Sequence, residues 1–331
     1  MESSFVDIVT VVTYHSCNMS KIIEFVVPIY NEEGNIELLY KKLVEQRKIL
    51  TRYQVHFLFI NDGSKDRSLE LLQSIVEKDN QARVINFARN FGHQVAISAG
   101  MDYAIGDAVI IIDADLQDPP EVAQQLIEEW EKGFEVVYAQ RRSRKDGFFK
   151  KITAFTFYRL LEVLANIKIP KDTGDFRLMD KKVVDALKKF REKSRYMRGL
   201  VSYVGFKQTA VLFDRQDRHA GTTHYPLSKM IRLSLDAITS FSAIPLHLIL
   251  QAGMIGVFIS MLGILYVLYV KVFVPEIIVS GWTSIMLVTL FIGSVQMIML
   301  GIMGVYIGRI YSEVQARPLY IVSSVLESGT K

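Results

Sequence analysis

The stretch Val109-Ile110-Ile111-Ile112-Asp113-Ala114-Asp115-Leu116-Gln117-Asp118-Pro119-Pro120 decides how this chain folds. Four β-branched residues followed by acids and prolines read as a short strand buried on both faces, the habit of a parallel sheet. In extended backbone the carboxylates of Asp113 and Asp115 leave the same side, at the carboxyl edge where α/β sheets bind ligands. Such a pair suits a hard divalent cation, because Mg²⁺ takes one or two carboxylates and completes its shell with water and substrate phosphate oxygens. Alone, an Asp-x-Asp triplet is a common solvated turn. Its place behind a buried strand gives it weight.

Working outward, short apolar runs alternate with amphipathic ones. Strands are expected at Ile22–Pro28, Val55–Ile60, Arg83–Phe87, Ala108–Asp113 and Glu135–Ala139. Helices are expected at Asn35–Leu50, Ser68–Lys78, Gln94–Ala104 and Pro120–Lys132. This alternation predicts an α/β, Rossmann-like domain with a mostly parallel sheet, and no internal repeat is evident. Two more strand ends are polar: Pro28-Ile29-Tyr30-Asn31-Glu32-Glu33 and Asn61-Asp62-Gly63-Ser64. Tyr30 is placed to pack on a base, and Asp62 to accept from its N–H edge or from a ribose hydroxyl. Singly, Asn61-Asp62-Gly63-Ser64 reads as no more than a turn and helix cap. Three polar ends on one edge favour a binding crevice.

Composition sets the setting. The 331 residues are 50% apolar, with 39 Lys and Arg against 35 Asp and Glu, a net charge of +4. The basic residues are dispersed, which argues against nucleic acid and for an anionic lipid surface or a phosphorylated substrate. One cysteine, Cys17, excludes an intrachain disulfide and a cysteine metal site. Leu246–Val270 and Thr283–Gly308 contain no Asp, Glu, Lys or Arg, and each is long enough to cross a hydrocarbon core. Basic residues Lys207, Arg215, Arg218, Lys229 and Arg232 precede the first, and Arg309 and Arg317 follow the second. The connector holds only Lys271 and Glu276, so the positive-inside rule places both ends in the cytoplasm. Gly304 and Gly308 form a GxxxG step, either a close helix contact or ordinary glycine usage. Leu227, Met230, Ile231, Leu235, Ile238 and Phe241 recur at helical spacing opposite polar residues, as in a helix lying in the membrane interface. The expected divisions are a tail at 1–18, a catalytic domain at 19–225, this interfacial helix at 226–243, two transmembrane helices at 244–312 and a cytoplasmic tail at 313–331.

Together these motifs resemble the family 2 glycosyltransferases of GT-A fold, in the branch of dolichol-phosphate mannose synthases and bactoprenol glucosyltransferases. The resemblance runs from Lys21 to Arg317-Pro318 and rests further on Arg89-Asn90-Phe91-Gly92, on Gly174-Asp175-Phe176-Arg177-Leu178-Met179-Asp180 and on Tyr306-Ile307-Gly308-Arg309. It implies that Pro28, Tyr30, Glu32, Asp62, Asp113 and Asp115 bind a nucleotide sugar. Mg²⁺ or Mn²⁺ would sit on Asp115 and Gln117 beside Asp113. Asp175 is a base or sugar-orienting group, or a fold-stabilising partner of Arg177. Arg141 and Lys151 resemble a cationic site for the acceptor phosphate, or are surface charge near headgroups. Arg215 and Arg218 resemble a segment that folds over the donor diphosphate. His224 and His93-Gln94 stand where relatives often carry lysine and Lys-Glu. Neither Trp130 nor Trp282 follows an arginine, so the Gln-x-x-Arg-Trp motif of processive polymer synthases is missing.

The implied activity is inverting transfer of a hexose, glucose from UDP-glucose first, to undecaprenyl or another polyprenyl phosphate at the cytoplasmic membrane face. GDP-mannose, UDP-GlcNAc or a modified sugar are alternative donors, and a membrane scaffold that binds nucleotide sugars without turnover is the alternative of another class. The resemblance also suggests a homo-oligomer, a tetramer.

Overall fold

The computed structural model describes residues 20–142, 173–193, 195–214, 244–273 and 281–329. Lys151, Arg215, Arg218, His224 and the interfacial helix expected at 226–243 lie outside the described residues.

A βα alternation opens the chain: β1 (Ile22–Ile29), α1 (Ile36–Ile49), β2 (Gln54–Asn61), α2 (Ser68–Lys78), β3 (Ala82–Phe87), α3 (His93–Tyr103) and β4 (Ala108–Ile111). A 3₁₀ turn at Pro120–Val122 leads into α4 (Ala123–Glu131), then β5 (Val136–Arg141). Beyond the expected strands come β6 (Thr173–Asp180), α5 (Lys181–Leu187), α6 (Met197–Tyr203) and β7 (Gln208–Phe213). Two long helices follow, α7 (Ile244–Phe273) and α8 (Trp282–Val314), and then β8 (Val322–Glu327).

The eight strands form one sheet in the order β7-β5-β6-β4-β1-β2-β3-β8. It is mixed, because β6 runs antiparallel to both β4 and β5, and β8 antiparallel to β3. The reading of a mostly parallel sheet holds for β1 to β4, whose crossovers are helices. The segment at 313–331, expected as a tail, supplies the edge strand β8. Its alternation of half-buried and exposed residues is the period of a strand with one covered face.

Helices cover both faces. Leu39, Leu43, Leu72 and Leu126 pack on Phe25, Phe57 and Phe59 from one side, while Ala96, Ala99, Val183 and Leu200 pack on Val26, Leu58, Ile60 and Met179 from the other. Burial on both faces explains why the central strands read as unbroken apolar runs. Crossings between these layers are tight at Gly100, where an added Cβ would lie 2.2 Å from Val26 Cγ1.

Helices α7 and α8 hold 30 and 33 residues. By length and composition, one stretch among the described residues, Phe291–Val314 in α8, suffices to cross a membrane, and Leu248–Gly263 in α7 is a shorter apolar stretch. A pair of spanning helices is thus narrowed here to one qualifying helix and one shorter one. A Cβ on Gly304 or Gly308 would meet nothing within 4 Å among the described residues, so the GxxxG step makes no close approach there.

Gly100→Ala should cost about 1–3 kcal/mol, the usual range for overpacking, read as a lowered unfolding midpoint in chemical denaturation.

Candidate active site

The carboxyl ends of β1, β2 and β4 open onto one crevice of about 420 Å³, within the ordinary range for ligand sites. Pro28, Ile29, Tyr30, Glu32, Asp62, Asn90, Gly92, His93, Asp113, Ala114 and Asp115 line it. The structure therefore brings together Pro28, Tyr30, Glu32, Asp62, Asp113 and Asp115, all expected from sequence, and adds Asn90, Gly92 and His93.

Two loops form one wall, laced by side-chain caps on backbone amides. Asn31 N–H donates to Ser64 Oγ at 3.0 Å, Lys65 N–H to Asn31 Oδ1 at 2.8 Å, and Glu32 N–H to Ser68 Oγ at 3.0 Å. Asn31 takes a left-handed backbone at φ 53°, which asparagine tolerates better than most residues. Glu32 accepts from Asn35 Nδ2 at 2.6 Å, and Tyr30 stays 43% exposed, presenting its ring to the opening.

Asp62 lines the crevice as expected and also braces a neighbouring loop. Its carboxylate accepts from Phe91 N–H at 2.6 Å, Gly92 N–H at 2.9 Å and Asn90 Nδ2 at 3.0 Å, which fixes the Arg89–Gly92 loop beneath the crevice. Burial pushes the carboxyl above its ordinary range, while the two amides and nearby His93 and Arg89 pull it back. Gly63 lets this loop come close: its φ is +64°, and a Cβ there would lie 2.4 Å from the Arg89 carbonyl carbon. The motif read singly as a turn is a brace between two loops.

The acidic pair also departs in detail. Strand β4 stops at Ile111, so Asp113 and Asp115 are placed by the turn after it, not by the pleat. Leu116 in that turn is buried and left-handed at φ 59°, an uncommon backbone for leucine and one that collects at functional sites. Asp115 Oδ1 accepts from Gln117 N–H at 3.2 Å. Asp113 Oδ1 is buried without a hydrogen bond, its nearest cation being His93 Nε2 at 3.5 Å. Burial pushes the Asp113 carboxyl up; His93 opposes this, while Asp175 and Asp115 push it further. An unsatisfied carboxylate oxygen beside a second acid fits a divalent cation.

Asp175 begins β6 and is buried at 5% exposure. It is gripped by Arg198 Nε at 3.1 Å, Gln94 Nε2 at 3.2 Å, His93 Nε2 at 3.3 Å and Arg177 Nη2 at 3.9 Å. Burial alone would raise its pKa, but Arg198, His93 and Arg177 outweigh it and hold the carboxyl well below the usual range. A carboxylate so stabilised is a poor proton acceptor. It lies within bonding distance of His93 and Arg198. For His93 itself, burial disfavours the charged form, yet Asp175 and Asp113 lift the imidazole to about 8. Arg141 closes β5 at the same edge, where a Cβ on Gly174 would lie 3.6 Å from its Nη2.

Sequence reasoning set His93 aside as a departure from relatives, and it set no role on Arg198. The signal for His93 was its place at the first position of a helix following a strand end. Nothing local pointed to Arg198, which reaches Asp175 through the antiparallel insertion of β6.

An open crevice at the carboxyl ends of a mixed, helix-covered sheet defines a GT-A-like α/β protein, the Rossmann-type fold expected. Glycosyl transferase family 2 matches residues 24–188, and the chain belongs to that family: it is a glycosyltransferase. It is 52% identical over 310 residues to the uncharacterized glycosyltransferase YkcC of Bacillus subtilis (strain 168), covering 92% of this chain and 94% of that protein. It is 41% identical to the prophage bactoprenol glucosyl transferase homolog of Escherichia coli (strain K12), covering 92% and 99%. Among solved structures, mannosyl-3-phosphoglycerate synthase from Rubrobacter xylanophilus is 18% identical with a TM-score of 0.46, over 71% of this chain and 75% of that chain.

Asp175→Ala should destabilise the protein by about 3–5 kcal/mol, since it removes the carboxylate that balances the charges of buried Arg177 and of Arg198. Asp62→Ala should cost about 1–3 kcal/mol by leaving the Phe91 and Gly92 amides unpaired. Denaturant titration followed by circular dichroism reads both, and an unchanged midpoint for either removes the role assigned to it.

Proposed function

We propose that this chain transfers a hexose, glucose from UDP-glucose, to a polyprenyl phosphate at the cytoplasmic face of a membrane, with inversion. The observation that carries the reading is the buried Asp113 oxygen, without a hydrogen bond, beside Asp115 in the crevice of about 420 Å³. The bactoprenol glucosyl transferase name borne by a relative over nearly its whole length supports the lipid acceptor.

Asp113 and Asp115, with Gln117 of the same turn, would hold Mg²⁺ or Mn²⁺. When bound, the cation neutralises charge on the departing nucleoside diphosphate. Tyr30 would pack on the base and Asp62 accept from its N–H edge or a ribose hydroxyl, with Pro28 and Glu32 lining the same donor site. An oxygen of the lipid phosphate forms the new bond to the anomeric carbon, and the bond to the diphosphate breaks with its electron pair leaving on the nucleotide. A phosphate monoester, with a second pKa near ~6, is largely dianionic at neutral pH, so it needs no base. Alignment and charge stabilisation then dominate. This agrees with an Asp175 that steadies His93 and Arg198. Arg141 and Lys151 are proposed to receive the acceptor phosphate, and Arg215 and Arg218 to close on the donor, with forked guanidinium groups matched to phosphate oxygens.

In this reading residues 19–225 are the catalytic unit, 226–243 lie in the interface and 244–312 anchor it. Apolar side chains along both long helices are exposed, including Phe258, Phe273, Phe291 and Met297. An apolar surface of that extent is stable in lipid and not in water.

Membranes carrying the chain should transfer glucose from UDP-glucose to polyprenyl phosphate in the presence of Mg²⁺ or Mn²⁺, and EDTA should abolish this. Asp113→Asn and Asp115→Asn should each lower kcat by about 10²–10³, the scale of losing a main source of charge stabilisation. Mn²⁺ binding followed by electron paramagnetic resonance should weaken in both. Screening GDP-mannose and UDP-GlcNAc beside UDP-glucose assigns the sugar; full transfer by Asp115→Asn sinks the reading.

A further inference from the structure

We propose that Tyr320, in the stretch between α8 and β8, is a positioning residue for the donor crevice, tying the strand that enters the Arg89–His93 loop to the far end of the helix that leaves it. The inference rests on reading that crevice as the nucleotide-sugar site.

The loop leaves β3 after Phe87 and enters α3 at His93. At its entry, the Tyr320 ring stacks on Phe87 with centroids 5.1 Å apart and planes 14° from parallel. Phe87 in turn meets Phe91, inside the loop, edge-on at 5.7 Å. Next to this stack, Ala88 N–H donates to the Ile321 carbonyl at 3.0 Å, extending the β3–β8 pairing up to the loop. The Tyr320 hydroxyl donates to Asp102 Oδ2 at 2.8 Å, near the carboxyl end of the helix that begins with His93. The same Asp102 oxygen also accepts from Arg191 Nη1 at 2.7 Å. Burial, then the Asp102 carboxylate, raises the Tyr320 phenol well above its ordinary range, so it stays a donor.

Between these two attachments lie the groups that shape the crevice. Asn90, Phe91 and Gly92 supply the donors that Asp62 accepts, and Asn90, Gly92 and His93 line the opening. One aromatic residue therefore sets the distance between the strand before the loop and the helix after it. The brace is also short of slack on its other side. Gln315 to Leu319 join Tyr320 to the end of α8, and Glu313 in that helix accepts from Lys193 N–H at 2.8 Å. Any shift of the α8 end is delivered to the loop under the donor.

The test uses the full-length protein in detergent micelles. Hydrogen–deuterium exchange of residues 88–93 is compared in the wild type, Tyr320→Ala and Tyr320→Phe, with UDP or GDP affinity measured by calorimetry in Mg²⁺. Tyr320→Ala should speed exchange at Phe91 and Gly92 and weaken nucleotide binding by about tenfold, the scale of one aromatic contact. In transfer assays the donor KM should rise while the lipid KM stays fixed, and Tyr320→Phe, which keeps the stack, should recover most of the donor affinity. Unchanged exchange at 88–93 in Tyr320→Ala overturns the proposal, as does an equal rise in both KM values. If β1 and β2 lose protection too, the fold has failed and Tyr320→Leu replaces it under the same criteria. A wild type that transfers no sugar defeats the proposed function alone, because the exchange comparison still decides the brace.

Discussion

A buried carboxylate accepting backbone amides is the interaction on which this active site depends. Asp62 stands at the end of β2, nearly out of solvent, and takes its donors from the loop that follows β3. Charge-assisted bonds of this kind are roughly twice as strong as neutral ones and harden further where water is excluded. They turn two independent strand ends into one wall. Gly63 permits the approach, and the loop so fixed carries His93 to the acidic pair.

From that wall the electrostatics follow a single logic. Asp113 and Asp115 are crowded acids with an unsatisfied oxygen, which favours a cation from solution. Asp175 lies a short distance away in sequence-remote β6 but is saturated by protein cations. The two sites use the same residue type for opposite ends, because one faces an opening and the other faces Arg198 and Arg177. His93 touches both and so links the acidic pair to the scaffold.

The long helices and the sheet are joined by more than a linker. After α8 the chain returns to pair with β3, so the two long apolar helices are flanked in sequence by strands of the sheet. An edge strand would otherwise leave β3 with an open row of amides and carbonyls. Closing that edge with the segment that leaves the apolar helix ties its position to the crevice.

Much of this was legible in residues alone. The α2 bounds Ser68–Lys78 agree with periodicity, and β1 to β4 agree to within a few residues, because burial on both faces writes unbroken apolar runs into the sequence. The acidic pair was visible for the same reason, as polar residues at the ends of such runs have little else to do. Strand β6 and edge strand β8 were not legible. Thr173-Gly174-Asp175 opens with turn-forming residues, and Val322–Glu327 is a short polar alternation after a helix, so neither carries a strong period.

What the sequence by itself determined is the class of fold, the crevice edge and the acids on it, since local pattern and composition encode burial and charge. Only the tertiary structure decided what each acid does. The role of a carboxylate is set by which donors reach it, and here those donors, Phe91 for Asp62 and Arg198 for Asp175, come from elements distant in the chain and near only after the sheet has closed.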